Sequence, residues 1–157
     1  MKMILRMFTW KRSLLLSIIV LLLLIVFSFY GLYTNKFYLF KYDNYIFPFL
    51  TIIHFTFLYA MRFKIRENEV ADPQMRNLEF ALYIIFFIYI FRLFDAISIL
   101  LTYNDFESNV IPKTFLPIGI LVVLLYILLL VLTLVTFKHR IDLVGPYRFD
   151  DINDHID

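Results

Sequence analysis

Arg92 and Asp95 are the two residues of this chain whose types and spacing invite chemistry. They lie inside Glu79–Tyr103, EFALYIIFFIYIFRLFDAISILLTY, a stretch long and apolar enough to cross a bilayer. A charge at the bilayer centre costs from about 2.5 to more than 10 kcal/mol, against a typical net stability of roughly 5–15 kcal/mol. Arg92 is therefore expected to face a protein interior or a wet cavity with a partner. Residues three apart share a helix face, which makes Asp95 the nearest candidate. With the span taken as residues 80–101, Arg92 lies within ~2 Å of the midplane and Asp95 ~7 Å to one side. Two roles follow. The pair can be an internal ion pair that fixes helix packing, or part of an ion- or proton-linked site, since ionisable groups inside membranes are functional candidates by default.

The elements that must position these groups follow from the hydropathy pattern. Of the 157 residues, 62% are hydrophobic and 20% aromatic, with only three Gly and five Pro. That apolar share exceeds the roughly 45–50% of soluble domains. Four apolar runs, at residues 14–33, 45–61, 80–101 and 115–137, each suit a membrane-spanning helix. The fold class expected is an all-α integral membrane protein, a four-helix antiparallel bundle over residues 1–140 with a short acidic cytoplasmic tail, 141–157. The first run is expected to be an uncleaved helix. It exceeds the apolar core of a secretory signal, and no small-residue cleavage site follows it. Asp43 or Asn44 is placed to cap the second span and Thr114 the fourth, with Pro48 and Pro117 in first turns. Residues 63–78 read as a polar loop broken by Pro73, with Asn77 capping the third span.

Basic residues set the orientation. Lys2, Arg6, Lys11 and Arg12 precede the first span. Arg62, Lys64, Arg66 and Arg76 follow the second, and Lys138, Arg140 and Arg148 follow the fourth. The opposite side holds only Lys36, Lys41 and Lys113. The positive-inside rule then places both termini in the cytoplasm, and the imbalance disfavours dual topology. The composition fits a bacterial cytoplasmic (inner) membrane.

With this threading, each span brings at least one polar group into a thin band. His54, Tyr126 and Arg92 share one depth, and Ser28 and Asp95 share another, ~7 Å outward. The expected intramembrane cluster is therefore Arg92, Asp95, His54, Tyr126 and Ser28, with His54 the member able to change protonation near neutral pH. Residues 27–49 carry eleven aromatics and read as an outer interfacial belt. The tail, FDDINDHID, lacks the calcium-loop pattern and reads as a solvated acidic segment.

Several functions are disfavoured. The chain has no Cys, so disulfides, thiolate metal sites and thiol nucleophiles are excluded. It shows no G-x-S-x-G, H-E-x-x-H, P-loop or dinucleotide fingerprint. One His at membrane depth cannot supply paired haem ligands. No cofactor, metal or nucleic acid is expected. The expected partners are membrane lipid and another membrane protein or a second copy. The function expected is a non-enzymatic small subunit or accessory factor of a membrane complex. The alternative is a small oligomeric transporter or channel using the Arg92–Asp95 pair with His54. A weaker third reading is an enzyme acting on a lipid or quinone.

Overall fold

A computed structural model describes residues 8–107 and 109–147. The fold is mostly helical, with four long helices: α1 (Trp10–Ser28), α2 (Ile46–Glu67), α3 (Pro73–Leu101) and α4 (Phe115–Leu143). All four are long and apolar enough to cross a membrane. α1 packs on α2 and α4, and α3 packs on α2 and α4. The His139 Nε2 atom lies 2.8 Å from the Phe8 carbonyl, and the Tyr30 hydroxyl lies 3.3 Å from Thr114 Oγ1. The end of α4 thus meets the start of α1, and the start of α4 meets the segment that follows α1.

The inward faces are spaced mostly by steps of three and four. α2 buries Phe47, Thr51, His54, Leu58 and Met61. α4 buries Phe115, Gly119, Tyr126, Leu129, Thr133, Thr136 and Arg140. α3 buries Met75, Glu79, Leu82, Ile85, Tyr89 and Ala96. Such a 3–4 repeat keeps one stripe facing its neighbours along the whole helix. Leu21, Leu24, Phe57, Leu58, Met61, Leu82, Tyr89 and Leu129 meet in one buried cluster. On the other side of α3, Phe80, Ile84, Phe87, Phe91 and Phe94 are exposed. Thr133 and Thr136 each donate a hydrogen bond to the carbonyl four residues back, which satisfies their hydroxyls locally. Gly119 permits a close helix approach, since a Cβ there would lie 2.8 Å from Leu100 Cδ1.

Helix limits depart from the sequence reading in several places. α1 covers 10–28 rather than 14–33. The chain leaves the helix and forms a two-residue hairpin, β1 (Tyr30–Gly31) against β2 (Lys36–Phe37), turning through Asn35 at φ 52°. The aromatic connection is therefore folded, and a 3₁₀ turn at Tyr42–Tyr45 leads into α2. The 63–78 segment is mostly helix, and only residues 68–72 link α2 to α3. Pro73 opens α3 instead of breaking it, because a proline at the first helical position loses no hydrogen bond. The cap is Asp72, whose Oδ1 accepts from the Met75 N–H at 2.7 Å, and not Asn77. Asn68 ends α2 in the left-handed conformation, a common use of Asn after a helix. Lys64 Nζ ties this link together, 2.8 Å from both Glu69 and Asp72. At the other end, Thr114 precedes α4 without a side-chain cap, while Pro48 and Pro117 do fall in first turns. Residues 1–7 and 148–157, with most of the acidic tail, lie outside the described residues.

Candidate functional site

Four of the five residues singled out in the sequence line one cavity. Ser28, Arg92, Asp95 and Tyr126 surround a space of about 190 Å³, together with Asp43, Asn44 and apolar side chains such as Phe27, Phe47 and Val122. The cavity sits where α1 ends and α2 begins. The hairpin residues Tyr30 and Leu32 and the 3₁₀ turn form part of its wall. Arg92 lies nine residues before the last residue of α3, or ~13.5 Å along the axis, and Asp95 ~9 Å. Both belong to the end of α3 near the hairpin.

The fifth residue, His54, lies elsewhere. It is fully buried, and its Nδ1 sits 3.1 Å from the Tyr89 hydroxyl, with the rings stacked at 5.8 Å. Its Nε2 has no partner among the described residues. It therefore does not complete the cavity.

Arg92 and Asp95 form no ion pair or hydrogen bond with each other among the described residues. The reason is angular. Three helical steps leave their side chains about 60° apart. Arg92 continues the inward stripe of Tyr89 and Ala96 and is half-buried, whereas Asp95 is exposed. Among the described residues, no hydrogen bond or ion pair engages the side chains of Asp43, Asp95 or Arg92, or the Tyr126 hydroxyl. Tyr126 is 8% exposed, and its ring packs on Phe47 at 5.9 Å. By contrast, Ser28 is satisfied: its hydroxyl donates to the Ile25 carbonyl at 2.7 Å and approaches the Asn44 carbonyl at 3.1 Å.

A second polar cluster, absent from the sequence reading, occupies the opposite end of α3 and α4. Glu79 is fully buried and Arg140 is 5% exposed. Arg140 Nε lies 2.6 Å from Glu79 Oε2, and its Nη2 donates to Oε1 at 2.8 Å. Tyr83 and Tyr147 each donate a hydroxyl to the same carboxylate at 2.5 Å. Nη1 of Arg140 donates to the Gly145 carbonyl at 3.0 Å, and the guanidinium lies 4.3 Å from the centre of the Tyr147 ring. Burial, and then the bond to Glu79, push the Tyr147 phenol above its ordinary range and keep it protonated as a donor. This is a sealed pair with its hydrogen-bonding capacity nearly filled. The signal for it was register: Glu79 falls on the stripe of Leu82, Ile85 and Tyr89, and Arg140 on that of Leu129, Thr133 and Thr136.

Among the described residues, no group of three or more His, Asp or Glu side chains is placed to hold a metal ion. The chain matches no protein-family model, and neither a curated protein nor a solved structure is similar to it.

Proposed function

We propose that this is a non-enzymatic integral membrane protein that acts by binding, as a small subunit or accessory factor of a membrane complex. In this reading the four helices form an antiparallel bundle with both termini cytoplasmic, in a bacterial inner membrane. The exposed aromatic and aliphatic face of α3 then contacts lipid, and the basic residues at the Glu79–Arg140 end lie on the cytoplasmic side. The observation that carries the reading is the charged cavity at the hairpin end. Below it the interior is filled by Phe57, Leu58, Leu82, Tyr89 and Leu129, and the far end is bolted by Glu79 and Arg140. A recognition site needs only a cavity at one end of the interior, whereas a conduit must run through it.

The test is purification of the full chain from native membranes in mild detergent, with mass spectrometry of what stays bound. A stoichiometric membrane-protein partner is the expected result. A chain that runs alone or only with itself, and that yields no partner on crosslinking in membranes, ends this reading.

One observation favours the transporter alternative: Arg92 and Asp95 face the same cavity without neutralising each other by contact. Under that reading, liposomes holding the chain show ion- or pH-dependent flux that Asp95→Asn abolishes.

A further inference from the structure

The cavity holds charges of both signs that do not satisfy one another. Arg92 offers guanidinium donors, which need acceptors. Asp43 and Asp95 are acceptor-only carboxylates when ionised, and they need donors. Tyr126, a residue only 8% exposed, lines the same cavity, and its hydroxyl, which can donate or accept, has no hydrogen-bond partner among the described residues. Polar groups inside folded proteins are overwhelmingly matched, so a cavity lined by a free phenol and by charges that do not meet one another marks a place for a ligand. A simple cation would leave the Arg92 donors unmet. A simple anion would leave the two carboxylates unmet and crowd a third negative charge against them.

We infer that the cavity binds a small zwitterion, a protonated primary amine a few bonds from an anionic oxygen group, with the amine toward Asp43 and Asp95 and the anionic oxygens toward Arg92 and Tyr126. At about 190 Å³ the space falls below the roughly 300–1,000 Å³ of drug-sized pockets, which suits such a group. Two sources carry this chemistry. One is the headgroup of an aminophospholipid, reached along the exposed flank where Asp95 sits beside Phe91 and Phe94. The other is a free amino-acid-like zwitterion entering past the hairpin. The inference rests on the binding role proposed above and names what is bound.

The experiment places the full chain in nanodiscs of equal phosphatidylethanolamine and phosphatidylcholine, both with phosphatidylglycerol, and counts retained lipids by native mass spectrometry. In parallel, glycine is titrated calorimetrically into chain held in phosphatidylcholine and phosphatidylglycerol alone, with methylamine and inorganic phosphate as single-charge comparisons. Enrichment of phosphatidylethanolamine over phosphatidylcholine assigns the headgroup, and saturable heat with glycine assigns the free zwitterion. Either preference is expected to vanish in Arg92→Gln and to fall about tenfold in Tyr126→Phe, the effect of one hydrogen bond to a charged group. Tyr126→Phe removes only an oxygen, so it carries the test should Arg92→Gln fail to fold. Equal retention of both lipids with no glycine heat overturns the inference. So does a preference unchanged in Tyr126→Phe, or methylamine binding as tightly as glycine. A protein partner recovered in the pulldown without zwitterion binding removes this inference alone. Flux through liposomes removes the accessory reading and leaves the zwitterion result standing.

Discussion

The two ends of α3 carry opposite solutions to the same problem. At its start, Glu79 meets Arg140 at 2.6 Å, with two tyrosine hydroxyls and a carbonyl filling the remaining positions. Near its end, Arg92 lines a cavity with two carboxylates and a phenol, and none of these groups closes on another. The first arrangement is what a buried charge requires for stability, because an unmatched ion away from water costs several kcal/mol. The second leaves the matching to something outside the chain. Helix position explains the difference. Glu79 and Arg140 both lie on inward stripes of adjacent helices, so packing α3 on α4 forces them together. Asp95 lies off its stripe, so no packing step brings it onto Arg92.

This contrast predicts a graded series of effects. Removing one member of the sealed pair does the most damage. Glu79→Gln strands the Arg140 charge and is expected to cost about 3–5 kcal/mol, read as a lower midpoint of thermal unfolding in detergent. Glu79→Leu with Arg140→Met is expected to be markedly less harmful than either single change, because no charge is left unpaired. If the double variant is as unstable as the sum of the singles, the pair is not acting as a unit. Next come the hydroxyls. Tyr83→Phe and Tyr147→Phe each remove a bond to the carboxylate and are expected to cost about 1.5–3 kcal/mol by the same assay.

The link between α2 and α3 gives a smaller, pH-dependent effect. The Lys64 ammonium and then the Met75 N–H hold the Asp72 carboxyl below its ordinary value. A carboxyl with a lowered folded pKa adds stability above its unfolded pKa and loses it as pH falls through the folded one. The unfolding midpoint should therefore drop on acidification, starting near the ordinary carboxylate range. Asp72→Ala is expected to cost about 1 kcal/mol at neutral pH. Asp72→Asn should keep the cap and flatten part of the acid slope. The smallest effect on stability belongs to the open cavity. Asp95→Asn should change the unfolding midpoint by no more than about 0.5 kcal/mol in equivalent stability, as for an unpaired exposed residue. A large loss there would show that Arg92 depends on Asp95, and would turn the cavity into a second structural bolt.

Much of this was legible in the residues. The four apolar runs mark the four helices, and Pro48 and Pro117 fall where a proline in a first turn is tolerated. The grouping of Arg92, Asp95, Tyr126 and Ser28 followed from depth alone, which works because residues at one level of neighbouring helices tend to meet. Depth alone also misplaced His54. It sits on the inward stripe of α2, where Tyr89 engages it. The Glu79–Arg140 pair was hidden for a related reason. Both residues lie beside helix ends, where a charge looks like ordinary solvated punctuation. Only the 3–4 register, which is cumulative along the helix, reveals that they point inward. Pro73 shows the converse error, since the same residue that ends a helix from within begins one at its first position.

The pairing of α1 with α4 has a consequence for how the chain comes into being. α1 is made before the other three helices, yet one of its two neighbours, α4, is made after them. Throughout synthesis, the side of α1 destined for α4 stays uncovered, and the contact that closes the molecule spans most of the chain. Such long-range closure is slow because the intervening loop entropy must be lost before the contact forms. Ser13 and Ser17, which are buried in the finished protein, sit on α1 through that interval. A nascent chain halted before residue 115 would therefore lack one of the two helices that cover α1.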